Sequence, residues 1–184
     1  MEAPRLSGLA PIFPDHMTTV VLGSLPGNRS LRDAQYYAHP RNAFWPIMAH
    51  CFGWPSTLSY QERLDRLGAQ GIGLWDVIEQ AHRSGSLDSA IASTGLQANP
   101  LAQLITERPA LTRLCFNGNM AYQVFHRSVL PNIDPLRWAS IQVHQLPSTS
   151  PAHAAMAFDQ KATLWQKALG AMPRSVLPNT ADLG

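Results

Sequence analysis

Apolar residues recur along this chain with two different periods, and the alternation between them outlines a fold. The β-branched run Thr18 to Leu22 (TTVVL) stops at Gly23 and predicts a buried strand feeding a loop. Comparable apolar runs follow at Gly71 to Val77 (GIGLWDV), Leu111 to Phe116 (LTRLCF) and Ser140 to Leu146 (SIQVHQL). Helical spacing predicts helices over Ala43–Cys51, Tyr60–Leu67, Pro100–Glu107, Asn119–Arg127 and Ala154–Leu169. Asn99 is the expected N-cap of the third, with Pro100 at its first position. In the last, Phe158, Ala162, Trp165 and Leu169 share one face, which reads as core. Strands alternating with helices imply an α/β fold, a single-domain three-layer α/β/α sandwich around a central, mainly parallel four-stranded sheet. The domain is expected over residues 1–170, with residues 171–184 (AMPRSVLPNTADLG) as a mobile or loosely docked C-terminal tail.

Composition narrows the picture modestly. At 184 residues and 45% hydrophobic content, the chain supports one well-packed domain and is short for two. A formal net charge of +2 with 14% charged residues demands no polyanionic partner, so any phosphate-binding surface must be local. Cys51 and Cys115 form no short-spaced pair, which argues against a zinc finger or an iron–sulfur cluster and for two reduced core thiols. The histidines show no metal spacing, so neither metal nor cofactor is expected. No basic segment leads into an apolar h-region, and no run approaches the roughly 18 apolar residues of a membrane span. A soluble, monomeric, cytoplasmic protein without a membrane partner is the expectation.

In an open parallel sheet, ligands bind in the crevice beyond the carboxyl ends of the strands. Three unusual segments fall at such ends: Gly23-Ser24-Leu25-Pro26-Gly27, Asn117-Gly118-Asn119 and Pro147-Ser148-Thr149-Ser150-Pro151. The GSLPG segment makes a tight turn whose backbone N–H groups can approach a ligand closely. It lacks the spacing and lysine of a P-loop and the serine placement of a nucleophile elbow. Ser148, Ser150, His153 and Asp159 could suggest a serine-hydrolase triad, but no elbow supports it.

Residues 36 to 46 read YYAHPRNAFWP, a cluster of aromatics, an amide and two prolines that opens a helix. Together with LGSLPG before it, GIGLWDVI after it and LPSTSP near residue 150, this segment resembles the uracil-DNA glycosylase superfamily over roughly residues 10 to 170. The likeness is closest to the hypoxanthine-DNA glycosylases and their mismatch-specific uracil/thymine relatives. One position departs from the mismatch-specific pattern. The third residue of the turn, an asparagine there and an aspartate in the uracil-specific branch, is Leu25 here, which can neither hold nor activate a water. The hypoxanthine-removing enzymes resemble this chain in that respect, which implies that Asn42 of the HPRN element is the catalytic residue. Leu146 likewise stands where the uracil-specific branch has a histidine.

The resemblance implies a double-stranded DNA partner containing a deaminated base, and a nucleoid association if the source is bacterial. Cleavage of an N-glycosidic bond needs donors that stabilise the departing base and a placed water. Gly23, Ser24, Leu25, Tyr37 and Asn117 are the candidate base contacts, with Tyr37 as the stacking aromatic and Tyr36 as its competitor. Pro26, Gly27, His39, Gly118, Pro147, Ser148, Thr149 and Ser150 are the candidate DNA contacts. Asn42 also has the ordinary reading of a helix cap, and His39 that of a backbone-bonded turn residue. No lysine lies in these motifs to form a Schiff base, so strand cleavage is not expected. The alternatives left open are a mismatch-specific uracil/thymine glycosylase and a non-catalytic nucleotide- or DNA-binding module.

Overall fold

In a computed structural model the described residues run from 3 to 171, so the expected tail, apart from Ala171, lies outside them. Four strands, β2 (Thr19–Gly23), β3 (Ile72–Asp76), β6 (Arg113–Asn117) and β7 (Gln142–Leu146), form one sheet in the order β3-β2-β6-β7. Every pairing in it is parallel, with Gly23 opposite Asp76 and Asn117 opposite Leu146. Because β2 is followed by β3 on one side and β6 on the other, the chain reverses its direction of winding beside the C-terminal end of β2. Such a switch point opens a crevice between the diverging connections.

The pleat explains the three layers. Val20 and Leu22 of β2 face one side, with Leu114 and Phe116, against α4 (Leu101–Glu107) and α5 (Asn119–Ser128). Val21 faces the other, with Leu74 and Cys115, against α2 (Phe44–Phe52), α3 (Tyr60–Ala69) and α7 (Phe158–Leu169). All five residues of β2 are buried, as a central parallel strand covered on both faces requires. Cys51 and Cys115 are free and buried, and burial pushes each thiol up to about 12.

A second sheet is absent from the sequence expectations. The chain leaves β3 and, after Val77 alone, enters β4 (Ile78–His82), which pairs antiparallel with β1 (Arg5–Ser7) and β5 (Gln97–Ala98). This edge sheet carries the chain round to the rim of the crevice. Four short helical elements are also outside what the hydrophobic period predicts: α1 (Asn28–Asp33), α6 (Pro135–Ala139) and 3-10 turns at Asp88–Ala90 and Leu130–Asn132.

Two local expectations are corrected. Asn99 does not cap α4; Pro100 occupies the cap, and Asn99 is buried with its Nδ2 donating to the Asp76 carbonyl at 2.9 Å. A buried strand-end carbonyl left without a partner costs more than a missing helix cap at an accessible end, so the amide serves the strand. The last helix begins at Phe158, not Ala154, and Phe158 is 40% exposed against the His50 ring, while Ala162, Trp165 and Leu169 are buried. Trp165→Ala is expected to cost about 3–5 kcal/mol, the usual range for emptying a large aromatic site. Phe158→Ser should stay within about 1 kcal/mol, as for a partly exposed position. Urea unfolding of the two variants checks the pair, and equal losses would place Phe158 back in the core.

Candidate active site

The carboxyl ends of β2, β3 and β6 open on a crevice of about 510 Å³. Gly23, Ser24, Leu25, Pro26 and Gly27 line it, together with Tyr37, His39, Asn42, Asn117, Gly118 and Ser148 to Ser150. The structure thus brings together almost every residue singled out from sequence. Pro147 is the exception: it does not line the crevice, and its carbonyl accepts Trp165 Nε1 at 3.2 Å. Asp159 is exposed on α7 and takes no part in the crevice, so the serine-triad arrangement does not form.

The GSLPG turn is held by its carbonyls. Gly23 O and Ser24 O accept the amides of Val77 and Ile78 at 2.8 and 3.0 Å. Leu25 O and Pro26 O accept Arg83 Nη1 and Nη2 at 3.1 and 2.6 Å, and Arg83 itself is 0% exposed. Burial disfavours the Arg83 charge, while Asp88 and Asp76 favour it. The Leu25 side chain, 5% exposed, packs in the core, so this residue presents backbone to a ligand and nothing more. Ser24 Oγ donates to Asp88 Oδ1 at 2.6 Å.

Thr149 joins the other two segments. Its amide donates to Asn117 Oδ1 at 2.9 Å, its hydroxyl accepts Asn117 Nδ2 at 2.8 Å, and its carbonyl accepts the Ala43 amide at 2.9 Å. Expected among the DNA contacts, Thr149 is instead 1% exposed and engaged within the protein. Ser148 and Ser150, half-buried, accept backbone amides from Ser150 and Ala152 and retain their hydroxyl protons for an outside acceptor. Gly118 is needed at the junction: at φ +100, a Cβ there would lie 3.1 Å from Ser148 Cβ. Two side chains of α7 tie the ends of the loop, Trp165 at Pro147 and Lys161, whose Nζ donates to His153 O at 2.6 Å.

The YYAHPRN segment resolves the two tyrosines. Tyr36 is buried, donates its hydroxyl to Ala10 O at 3.1 Å and carries Trp45 Nε1 on its carbonyl, so it is an anchor. Tyr37 stands at φ +57, an uncommon conformation for a residue with a bulky side chain. It is clamped on both sides, by the Tyr36 amide on Tyr60 Oη and the Ala38 amide on Ser30 Oγ. Its ring stacks on Phe44 with centroids 4.0 Å apart, which leaves one face for a ligand. Ala43 occupies the cap of α2, so Asn42 is not its N-cap; from the position before it, Asn42 Oδ1 accepts the Phe44 amide at 2.9 Å, and the group it has left is the Nδ2 donor. His39 Nδ1 accepts the Arg41 amide at 3.1 Å, the backbone-bonded arrangement.

Sequence reading missed Asp76, Arg83 and Asp88. Asp76 is 4% exposed at the crevice floor, and its pKa is pushed up to about 7 by burial first and by the Asp88 charge second, with Arg83 opposing. Asp76 Oδ2 is a buried polar atom without a hydrogen-bond partner among the described residues, and the buried Tyr37 hydroxyl lies beside the Asn117 side chain. One signal was available: an aspartate breaking the apolar run GIGLWDVI at the carboxyl end of a buried strand.

Asn117→Ala removes both bonds that seat Thr149 and strands two buried polar groups. A loss of about 1–3 kcal/mol per stranded group is expected, read by thermal or urea unfolding. A change under about 0.5 kcal/mol would mean the loop is seated by α7 alone.

The model of the uracil DNA glycosylase superfamily matches residues 10–169. The chain is similar to a protein named hypoxanthine DNA glycosylase from Methanosarcina acetivorans, 33% identical over 148 residues that make up 79% of this chain and 87% of the relative. It is also similar to a protein of the same name from Methanosarcina barkeri, 37% identical over 115 residues, 62% of this chain and 72% of that one. Among solved structures it resembles a candidate uracil DNA glycosylase from Methanosarcina acetivorans, determined by solution NMR, with a TM-score of 0.73 and 29% identity over 90% of this chain and 97% of that one. The matched span takes in the whole parallel sheet and all three segments that meet at the crevice, and the chain belongs to the uracil DNA glycosylase superfamily.

Proposed function

We propose that this protein is a monofunctional DNA glycosylase that extrudes a deaminated base from double-stranded DNA, hypoxanthine first and uracil or xanthine with it. It hydrolyses the N-glycosidic bond and leaves an abasic site. The observation that carries this reading is the convergence of the three segments on one crevice whose polar groups are already fixed before any ligand arrives. The two relatives named for hypoxanthine support the choice of base.

A base in this crevice stacks on the open face of Tyr37, an interaction worth about 1–3 kcal/mol. The amides of Ser24 and Leu25 lie where the carbonyl oxygens of a flipped base arrive, and the Asn42 Nδ2 donor approaches from the α2 side. Hydrogen-bond donors aimed at charge that develops on the leaving base act in a water-poor site, each worth about 3–4 kcal/mol or 10²–10³ in rate. Leu25 supplies no polar side chain, so Asn42 is the amide that takes part. The small hydroxyls of Ser148 and Ser150 face the phosphates of the strained backbone.

Single-turnover cleavage of duplexes containing inosine, uracil, xanthine or a G·T mismatch, developed with alkali, tests the reading. Inosine is expected to be cut fastest. Preferential cutting of G·T would favour a mismatch-specific enzyme, and binding without cutting of any duplex would favour a non-catalytic module. Asn42→Ala should slow the chemical step on inosine DNA by at least about a hundredfold, with binding little changed. Near-normal cleavage by the folded variant would remove Asn42 from the chemistry.

Ser150→Leu should impair duplex substrates more than single-stranded ones, because only a paired base has to be extruded at a cost of a few kcal/mol. Equal losses on both would make the loop a structural support only.

A further inference from the structure

We propose that Asp76 is a second catalytic residue, whose carboxylate accepts the proton of the water that attacks C1′ of the extruded nucleotide. The proposal rests on the glycosylase reading and deepens it. Hydrolysis of the glycosidic bond needs an acceptor for that proton as well as donors for the base. Most acceptors around the β2 turn are already occupied. Gly23 O and Ser24 O hold backbone amides, and Leu25 O and Pro26 O hold Arg83. Asn117 Oδ1 holds Thr149, Asn42 Oδ1 holds Phe44, and His39 Nδ1 holds Arg41. Asp88 Oδ1 is bonded to Ser24. Asp76 Oδ2 is a strong acceptor with no partner, and the side chain that carries it is 4% exposed and lines the crevice.

Its placement fits the role. Asp76 ends β3 directly opposite Gly23, and a Cβ at Gly23 would collide with Asp76 Oδ1 and lie 3.7 Å from the Tyr37 hydroxyl. The glycine therefore makes room for the carboxyl beside the same turn in which Leu25 lacks a polar side chain. Asn99 fixes the backbone by holding the Asp76 carbonyl. An unpartnered buried carboxyl is costly to a fold and calls for a reason of this kind.

In the step, the water oxygen bonds to C1′ as the C1′–N bond breaks, and the electron pair of that bond leaves with the base. One water proton passes to the Asp76 carboxylate, and the other stays on the new C1′ hydroxyl. The departed base takes a proton from solvent, and Asp76 returns its own. The charged and titratable groups facing Asp76 are Asp88 on the 3-10 turn, Arg83 at the end of β4, and the Tyr36 and Tyr37 hydroxyls. Burial pushes both tyrosines up, so they stay neutral while Asp76 titrates near 7. Ionised Asp76 is the active form, and the single-turnover rate rises with pH through about 7 and then levels.

The test compares wild type with Asp76→Asn, Asn42→Ala serving as the reference. On inosine duplex, Asp76→Asn should lower the high-pH single-turnover rate by about 10²-fold or more, the size of a lost general base. Binding of the duplex, read by fluorescence anisotropy, should stay within about threefold. The rise through pH 7 should vanish in Asp76→Asn and persist in Asn42→Ala. The pH–rate profile is the readout that a structural role would not move, and stability reports the same titration apart from activity. The folded protein holds the Asp76 proton to higher pH than the unfolded chain does, so its contribution is full below about pH 4 and lost as pH rises through about 7. Asp76→Asn should remove that loss and melt above wild type at pH 8. A folded Asp76→Asn protein with a near-normal rate, an unchanged pH profile, or a loss confined to binding overturns the proposal. A wild type inert on inosine, uracil and xanthine duplexes overturns the glycosylase reading beneath it.

Discussion

The GSLPG turn gives its carbonyls to the protein, two of them to backbone amides and two to a buried guanidinium. Arg83 reaches from the end of β4 to Leu25 O and Pro26 O, and it also holds Gly85 O and Asn28 Oδ1. A planar group with five donors in a fixed fork can satisfy several carbonyls at once without a carboxylate in direct contact. The two acidic neighbours, Asp88 and Asp76, keep the guanidinium charged from a distance. The edge sheet that delivers Arg83 is therefore part of the site, and its strand β4 also meets the turn directly through the Ile78 amide on Ser24 O.

From this constraint the polarity of the crevice follows. Once the turn's carbonyls and the amide oxygens of Asn117 and Asn42 are taken up, what remains in the crevice wall is donors beside two carboxyls, Asp76 and Asp88. A surface of fixed donors suits an electron-rich leaving group, and it does so without reorganisation at the moment of reaction. Arginine and threonine here do by three-dimensional bonding what no local sequence motif announces.

Legibility in the sequence divided along that line. The parallel sheet was readable because β-branched and apolar runs of strand length ended in glycine or asparagine, and helical spacing filled the gaps. The crevice residues were readable because GSLPG, YYAHPRN and LPSTSP are unusual as local strings. Arg83 was not readable, since its role depends on a strand that crosses to a second sheet, and IEQAH carries only a weak alternation of buried and half-buried positions. Thr149 and Asn99 misled for a shared reason. A polar side chain in a loop or before a helix is read as a surface donor or a cap, but each here satisfies a buried group that only the folded chain creates. Phe158 misled because helical spacing continued past the point where α7 loses its cover.

Several energetic irregularities gather at the crevice. A tyrosine at φ +57 and a carboxyl lifted to about 7 line it, and a buried arginine holds the turn behind its wall. Backbone strain of this sort costs on the order of 1–3 kcal/mol, and each unsatisfied buried polar group about as much again. Against a net folding stability of about 5–15 kcal/mol, that sum is large enough to need opposing interactions nearby. They are present: Tyr60 and Ser30 brace the amides on either side of Tyr37, Phe44 covers its ring, and Asn99 anchors Asp76. These braces act on the backbone and on one ring face, and leave Asp76 Oδ2 without a hydrogen bond. A fold optimised for stability alone would have paired that atom or replaced it with an apolar group, which sets Asp76 apart from Asn99, Asn117 and Thr149, the bonded polar groups around it.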